Sequence, residues 1–529
     1  MSRHPSSQKL ALTPQAPNPP DYETWTREEL IARLKELTGT SDALQMTTST
    51  SASPSQPPVL VTSPPLTPSS SSISGSKKRL PKGSKPKREF DFSAYPTRKI
   101  ALKFSYAGMG YGGLTWQAGP TPLPTVESVL FAALAKARLV DAEGGLEGCG
   151  WERCGRTDRG VSAAGQVVSL YVRSSNRRSS APAKASDTNE DAPKVALDGE
   201  DASALRVPEK DIRYLHTLNA ILPPSIRVYA WAPVASTFSA RFSCRTRHYK
   251  YFFSARSLDV DAMRAGAARL VGEHDFRNLC KLDPAKQLTT FRRRILRADI
   301  SPVVVDGGDM HVLDLVGSAF LYNQVRHIMA VLLLIGARFE VPSVVSALLN
   351  ADPNSDEGDT VGAPPPAVLQ EGGESPPPRV TCKPEYQMAD ALPLVLWDCT
   401  YAAEDVQWRA DDAGSDGSVG LYSQLVGLAE RAQVEATLAE HFLAAAAPLH
   451  GPVARGVGPM LTQASNSKEC GPWDVPLGGG TARREGNYVP LLNRKRLESV
   501  EVVNERWRTR REGKGRTSTH KDELPAAGT

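Results

Sequence analysis

The sequence predicts an α+β fold, with two α/β halves around a mainly antiparallel sheet. Three observations predict it. Between residues 98 and 402, segments alternating apolar and polar residues at period two are interleaved with segments at the helical period. Their order lacks the long βαβ runs of a parallel sheet. Finally, Pro, Gly, Ser and Thr gather in stretches that flank or interrupt this region, and such stretches cannot bury enough apolar surface to offset their ordering entropy.

In chain order, residues 1–97 form a low-complexity N-terminal region. It holds one short helix pattern at 22–37 (Leu30, Leu34 and Leu37 on a stripe) and a basic stretch at 77–88. The N-terminal half, 98–257, begins with Ile100, Leu102, Phe104 and Tyr106 alternating as a half-buried strand. A glycine loop, AGMGYGG, precedes a helix near 125–139 with Val126, Val129, Leu130, Ala133, Leu134 and Ala137 on one face. QVVSLYV is the next strand, and 174–207 is a disordered insertion. A helix at 209–221 ends at Pro223-Pro224, and the strands IRVYAWAPV and RHYKYFF follow. The C-terminal half, 258–402, repeats the alternation. It has helices at 259–271 and 321–336, the latter stopped by Gly336. Its strands are FRRRILRADI, HVLDLVG and LPLVLWDCTY, with a disordered insertion at 350–381. Residues 403–480 form a helical extension with a helix near 421–445, and 481–529 a basic tail.

Composition narrows the chemistry. Net charge is +5, unevenly spread: 77–88 carries seven Lys/Arg and no acid, whereas 187–201 is acidic. Basic arms on a globular body favour a nucleic-acid partner. The stretch 77–88 also reads as a nuclear-import signal, so nucleus and cytoplasm are both expected locations. Seven cysteines with no CxxC pair argue against a disulfide framework or a thiolate zinc site, so no metal is expected. The first forty residues lack an apolar leader, and the longest apolar run, IMAVLLLIG, is far short of a membrane span.

Gly108, Gly110 and Gly113 fit a dinucleotide-loop pattern, but the prolines that follow forbid the helix it requires. These glycines are read as permitting a close approach to a ligand or to another loop. Asp158 sits in CGRTDRGVSAAGQVV between Arg156 and Arg159, which are expected to depress its pKa and keep it anionic. An ionised carboxylate suits nucleophilic attack; a turn aspartate bonding its own backbone is the plainer reading. Tyr249 and Tyr251 lie among cations in RHYKYFF, where stacking on a base and packing in the core both fit: Tyr251 is read for the core and Tyr249 for the ligand. Arg326 opens an otherwise apolar helix and needs a carboxylate partner, for which Asp158 is the candidate.

Together these stretches resemble the TruA-type tRNA pseudouridine synthases. GRTDRGVSA at 155–163 is similar to the family's aspartate signature. SYAGMGYGGLTWQ at 105–117, FSARFSCRTRHYKYFF at 238–253 and GSAFLYNQVRHIMAVLLLIG at 317–336 resemble three further family segments in order. GEHDFRNLCKLD at 272–283 and NYVPLLNRKRLESVE resemble the eukaryotic branch that acts at tRNA positions 38 and 39. Ala107 departs from the many members that carry an acid there, as that branch often does. The resemblance implies the pseudouridine synthase fold with a basic central cleft, and tRNA, through its anticodon stem-loop, as partner. It implies Asp158 as nucleophile, Tyr249 stacking on the base and assisting C5 proton removal, and Arg326 orienting Asp158. Arg156 and Arg159 would contact RNA backbone or brace the loop. It further implies a homodimer and a redox-neutral isomerisation without a cofactor. A non-catalytic RNA-binding protein or tRNA chaperone, and the same chemistry at another RNA site, are the rival readings.

Overall fold

A computed structural model describes residues 90–175, 212–303, 309–351, 377–410, 420–450 and 473–519, all within one compact unit, Pro86–Thr529. The helix pattern at 22–37, the basic stretch 77–88, the acidic run 187–201 and most of both insertions lie outside the described residues.

The architecture is a nine-stranded, mostly antiparallel sheet with helices packed against it. Its strands are β1 (Thr97–Tyr106), β2 (Glu152–Arg153), β3 (Ser162–Arg173), β4 (Ile226–Pro233), β5 (Thr246–Ser254), β6 (Gly272–Asp275), β7 (Arg292–Pro302), β8 (Met310–Gly317) and β9 (Leu394–Thr400). The order across the sheet is β4-β1-β3-β9-β5-β8-β7-β6, with β2 paired to β3. Every ladder is antiparallel except one: Ser162 and Ala163 of β3 run parallel to Val395 and Leu396 of β9. The sheet therefore does not divide at 257/258 as the sequence suggests. Strand β5, assigned to the first half, pairs with β8 and β9 of the second. Hydrophobic periodicity locates strands but carries no information on which edges meet.

The helices follow their sequence signals. Helix α1 (Val126–Lys136) starts at Thr125, whose side chain and that of Ser128 form a reciprocal capping box. Helix α2 (Tyr214–Ile221) ends before the paired prolines. Asp259 caps α3 (Val260–Ala268) by accepting from the Ala262 amide. Helix α4 (Gln324–Gly336) is buried at every position but Arg326. Gly336 belongs to this helix and does not stop it: a Cβ there would lie 2.5 Å from Met263 Sδ, so the glycine serves close packing of α3 on α4. The left-handed residue beyond the helix is Arg338, at φ +61°. Helix α5 (Ser343–Leu349) packs on the same group, with Val345 beside Gly266.

The chain past β9 departs furthest from expectation. Helix α6 (Leu421–Ala446) has no buried residue. Strands β10 (Trp473–Gly478) and β11 (Thr481–Glu485) form a hairpin whose turn falls on the 480/481 boundary assigned to a basic tail. That segment is folded onto the core. The Asp390 amide donates to Leu477 O at 2.7 Å, and buried Glu340 accepts from the Tyr488 hydroxyl and the Leu491 amide, each at 2.6 Å. Leu491 is fully buried. Helix α7 (Val500–Thr519) follows. The arginines that made this segment read as a solvated tail lie mostly at its surface, while Val475 and Leu491 are buried. Among the described residues, no helix is long and apolar enough to cross a membrane.

Gly165 lies where β3 meets β9, and a Cβ there would stand 2.5 Å from the Trp397 carbonyl oxygen. Gly165→Ala is expected to cost about 1–3 kcal/mol, measured as a lower denaturant midpoint. An unchanged midpoint would contradict so close a junction.

Candidate active site

The loop between β2 and β3 holds Asp158, and three neighbouring segments fix its shape. Gly108 approaches so closely that a Cβ would stand 2.2 Å from Val161 O, and its amide donates to Ser162 Oγ at 3.0 Å. Gly113, at φ +107°, lies against the backbone at Thr157 and Arg159. The glycine loop thus braces another loop, one of the two roles its composition allowed. Tyr106 and Thr157 share a hydroxyl hydrogen bond of 2.6 Å in the interior. From the opposite side, Gln166 Nε2 donates to Gly155 O at 2.9 Å and Arg247 Nη2 to Cys154 O at 3.0 Å.

Asp158 meets the start of α4. Arg326 Nη1 stands 3.8 Å from Asp158 Oδ2, the carboxylate partner that the apolar helix required. Arg326 Nε donates to Ala389 O at 2.8 Å, which anchors the guanidinium. Asn323 Nδ2 donates to the same carboxylate oxygen. An asparagine before a helix ordinarily caps it with its side chain. Asn323 instead takes a left-handed φ of +58° and makes no side-chain cap bond, and its amide turns to Asp158. Its Oδ1 is buried with no hydrogen-bond partner in the structure.

A pocket of about 1000 Å³ opens here, lined among others by Asp158, Tyr249, Phe320, Asn323, Arg326 and Leu394. Nine Arg or Lys residues line it against two carboxylates, Asp158 and Asp283, so its field favours a polyanion. Arg156 and Arg159 are exposed residues of its lining. Tyr249 is 9% exposed and meets Phe320 edge to face at 4.9 Å, whereas Tyr251 is fully buried and its hydroxyl donates to Asp390 O. The two readings of this tyrosine pair separate accordingly: Tyr251 serves the core and Tyr249 a pocket wall.

The electrostatics correct one expectation. Burial raises the Asp158 pKa above its ordinary value, outweighing the opposing pull of Arg326, the Asn323 hydrogen bond, Arg156 and Lys281. The sequence shows the arginines but not how deeply the loop is buried. Tyr249 is pushed up chiefly by burial and stays a neutral phenol. The sequence does not single out Asn323 or Lys281, because an asparagine at a helix start reads as a cap and a lone lysine as surface. The convergence of Cys154, Cys244 and Cys399 was equally hidden by their separation along the chain.

A family model described as tRNA pseudouridine synthase matches residues 267–370. The chain is 32% identical over 504 residues to the tRNA pseudouridine(38/39) synthase of Saccharomyces cerevisiae, covering 94% of this chain and 93% of that protein. It is 39% identical over 355 residues to the human protein of the same name, covering 64% of this chain and 63% of the human one. The tRNA pseudouridine synthase A of Methanothrix thermoacetophila is 31% identical over 279 residues, 52% of this chain and 84% of that protein.

The raised Asp158 pKa has a stability consequence. A carboxyl that holds its proton more tightly when folded loses stability as pH climbs from its unfolded pKa through its folded one. Asp158→Asn removes that loss. The melting temperature of the variant relative to wild type is expected to rise between about pH 3 and pH 7. A difference that falls over this range, followed by scanning calorimetry, would reverse the sign assigned to the site.

Proposed function

The chain belongs to the TruA family of tRNA pseudouridine synthases, and on that footing we propose that it isomerises uridine to pseudouridine at positions 38 and 39 of the tRNA anticodon stem-loop. The observation that carries this reading is the meeting of Asp158, Arg326 and Tyr249 at one cation-lined pocket. The positional assignment rests on the names of the yeast and human relatives. The pocket is taken as the floor of a basic cleft in which the RNA backbone lies.

The reaction breaks the C1′–N1 glycosidic bond, forms C1′–C5 and replaces the C5 proton by one at N1, so atoms and charge balance without a redox partner. The target must leave the base stack to reach Asp158, at a cost of a few kcal/mol. Asp158 serves as nucleophile; attack on the base, attack on the sugar and a route through a glycal all use the same carboxylate. Arg326 and Asn323 hold one of its oxygens, leaving the other for the nucleotide. The buried, unpaired Asn323 Oδ1 offers an acceptor to a donor group on the substrate. Tyr249, neutral and braced by Phe320, stacks on the base. It could take the C5 proton only after losing its own, which burial opposes. Arg156 and Arg159 contact phosphates.

We further infer a homodimer, as in the family. Helix α6 leaves Val434, Leu438 and Phe442 exposed at four-residue spacing, with Phe442 at 70%. A second copy of this helix is the occupant that such a stripe fits. Light scattering is expected to give twice the chain mass, reduced toward one chain by Leu438→Glu with Phe442→Glu; a wild-type monomer would end this proposal.

Tritium release from unmodified tRNA labelled at uridine C5 tests the activity. Wild type should release tritium and place pseudouridine at positions 38 and 39, while Asp158→Asn binds the tRNA and stays at background. Turnover by Asp158→Asn at the wild-type rate would overturn the nucleophile, and modification elsewhere the positional assignment.

A further inference from the structure

Three cysteines far apart in the chain meet beside the Asp158 loop. Cys154 leads from β2 into that loop, Cys244 precedes β5, and Cys399 lies in β9. Their Sγ atoms all lie within 4.8 Å of one another. Cys154 and Cys399 are 2% and 1% exposed, and Cys244 is half-buried. We propose that this trio binds one thiophilic d10 cation, with Zn²⁺ the ion its charge favours. The inference does not depend on the chemistry assigned to Asp158.

Geometry comes first. A triangle of 4.8 Å sides has its centre about 2.8 Å from each corner, and a zinc–thiolate bond is about 2.3 Å. Each sulfur therefore needs to move inward by only about half an ångström, which small χ1 adjustments supply. Charge comes second. Three thiolates around Zn²⁺ leave one negative charge, costly in the interior unless paired. Arg247 supplies the partner: its guanidinium donates to Cys154 O at 3.0 Å and attracts the Cys154 and Cys244 sulfurs. Ligand type comes third, since thiolates select Zn²⁺ or Cu⁺ over the hard cations. The Tyr401 hydroxyl, near the Cys154 sulfur, donates to Ala240 O at 2.7 Å. Binding displaces up to three thiol protons to solvent.

The plainer alternative is three reduced thiols filling the core as small apolar groups. The two differ in what a cation would do. It would cross-link the Asp158 loop, the segment entering β5 and strand β9, which are the pieces that frame the pocket.

The experiment uses the untagged full-length chain, purified under reducing conditions without chelator. Elemental analysis by mass spectrometry is expected to find about one equivalent of zinc or copper per chain, and the element present decides between Zn²⁺ and Cu⁺. After chelation, titrated Co²⁺ should give a thiolate-to-cobalt band in the near ultraviolet that saturates at the same stoichiometry. Both signals should be lost in Cys244→Ala and kept in Cys382→Ser. Folded wild type with neither metal and no cobalt band overturns the proposal, as does a metal that survives Cys244→Ala. Should Cys244→Ala not fold, the wild-type cobalt titration decides alone: a band supports the site, and its absence refutes it.

Discussion

The short parallel ladder between Ser162–Ala163 and Val395–Leu396 is the constraint on which the site depends. Without β9, the strands fall into two antiparallel groups, β4-β1-β3, where β2 covers only Val168 and Ser169 of the β3 edge, and β5-β8-β7-β6, so each keeps an open stretch of edge. Unpaired strand edges are sticky and seldom left bare. Inserting β9 closes both at once and fixes β3 two strands from β5. Asp158 precedes β3 and Tyr249 lies in β5, so the strand that seals the edges also sets the spacing of the pocket walls. Close backbone approach at Gly165 leaves no room for a side chain at that junction.

Around this frame two electrostatic effects compete. The pocket's many cations favour an ionised carboxylate, and desolvation disfavours it. At Asp158 burial prevails, despite Arg326 at 3.8 Å and the Asn323 amide. The carboxylate is held in place without being fully satisfied, leaving it more basic than an ordinary surface aspartate. Such a group is suited to form a new bond where a strongly stabilised anion would resist it. The cations, whose pull on its pKa burial outweighs, still give the pocket a field that favours a polyanion.

Much of this was legible in the sequence, and what was not had a physical cause. Strands such as Thr246–Ser254 and helices such as Gln324–Gly336 are written in local periodicity. The pairing of Arg326 with Asp158 followed from the cost of a lone charge in an apolar helix. Long-range convergence is different in kind. Nothing near Cys399 marks it as a neighbour of Cys154, and nothing near Asn323 shows that its amide leaves the helix for a loop. The hairpin at Trp473–Glu485 was obscured by the charge density of the segment around it, because surface arginines dominate composition while a few inward residues, Val475 and Leu491 among them, decide packing. Burial depth, which sets the direction of the Asp158 shift, is likewise a property of the assembled sheet.

The closing strand and the hairpin that follows it give this molecule an order in time. A ribosome releases the Asp158 loop long before it releases β9, and longer still before the Tyr488–Leu491 segment that ties down Glu340. Such distant pairings are slow to form. The nascent chain must therefore wait with two unsealed sheet edges until Leu394–Thr400 has emerged. Chaperone demand should peak in that interval, and a message truncated after β8 would yield a product that carries Asp158 without the Asn323 and Arg326 that hold it.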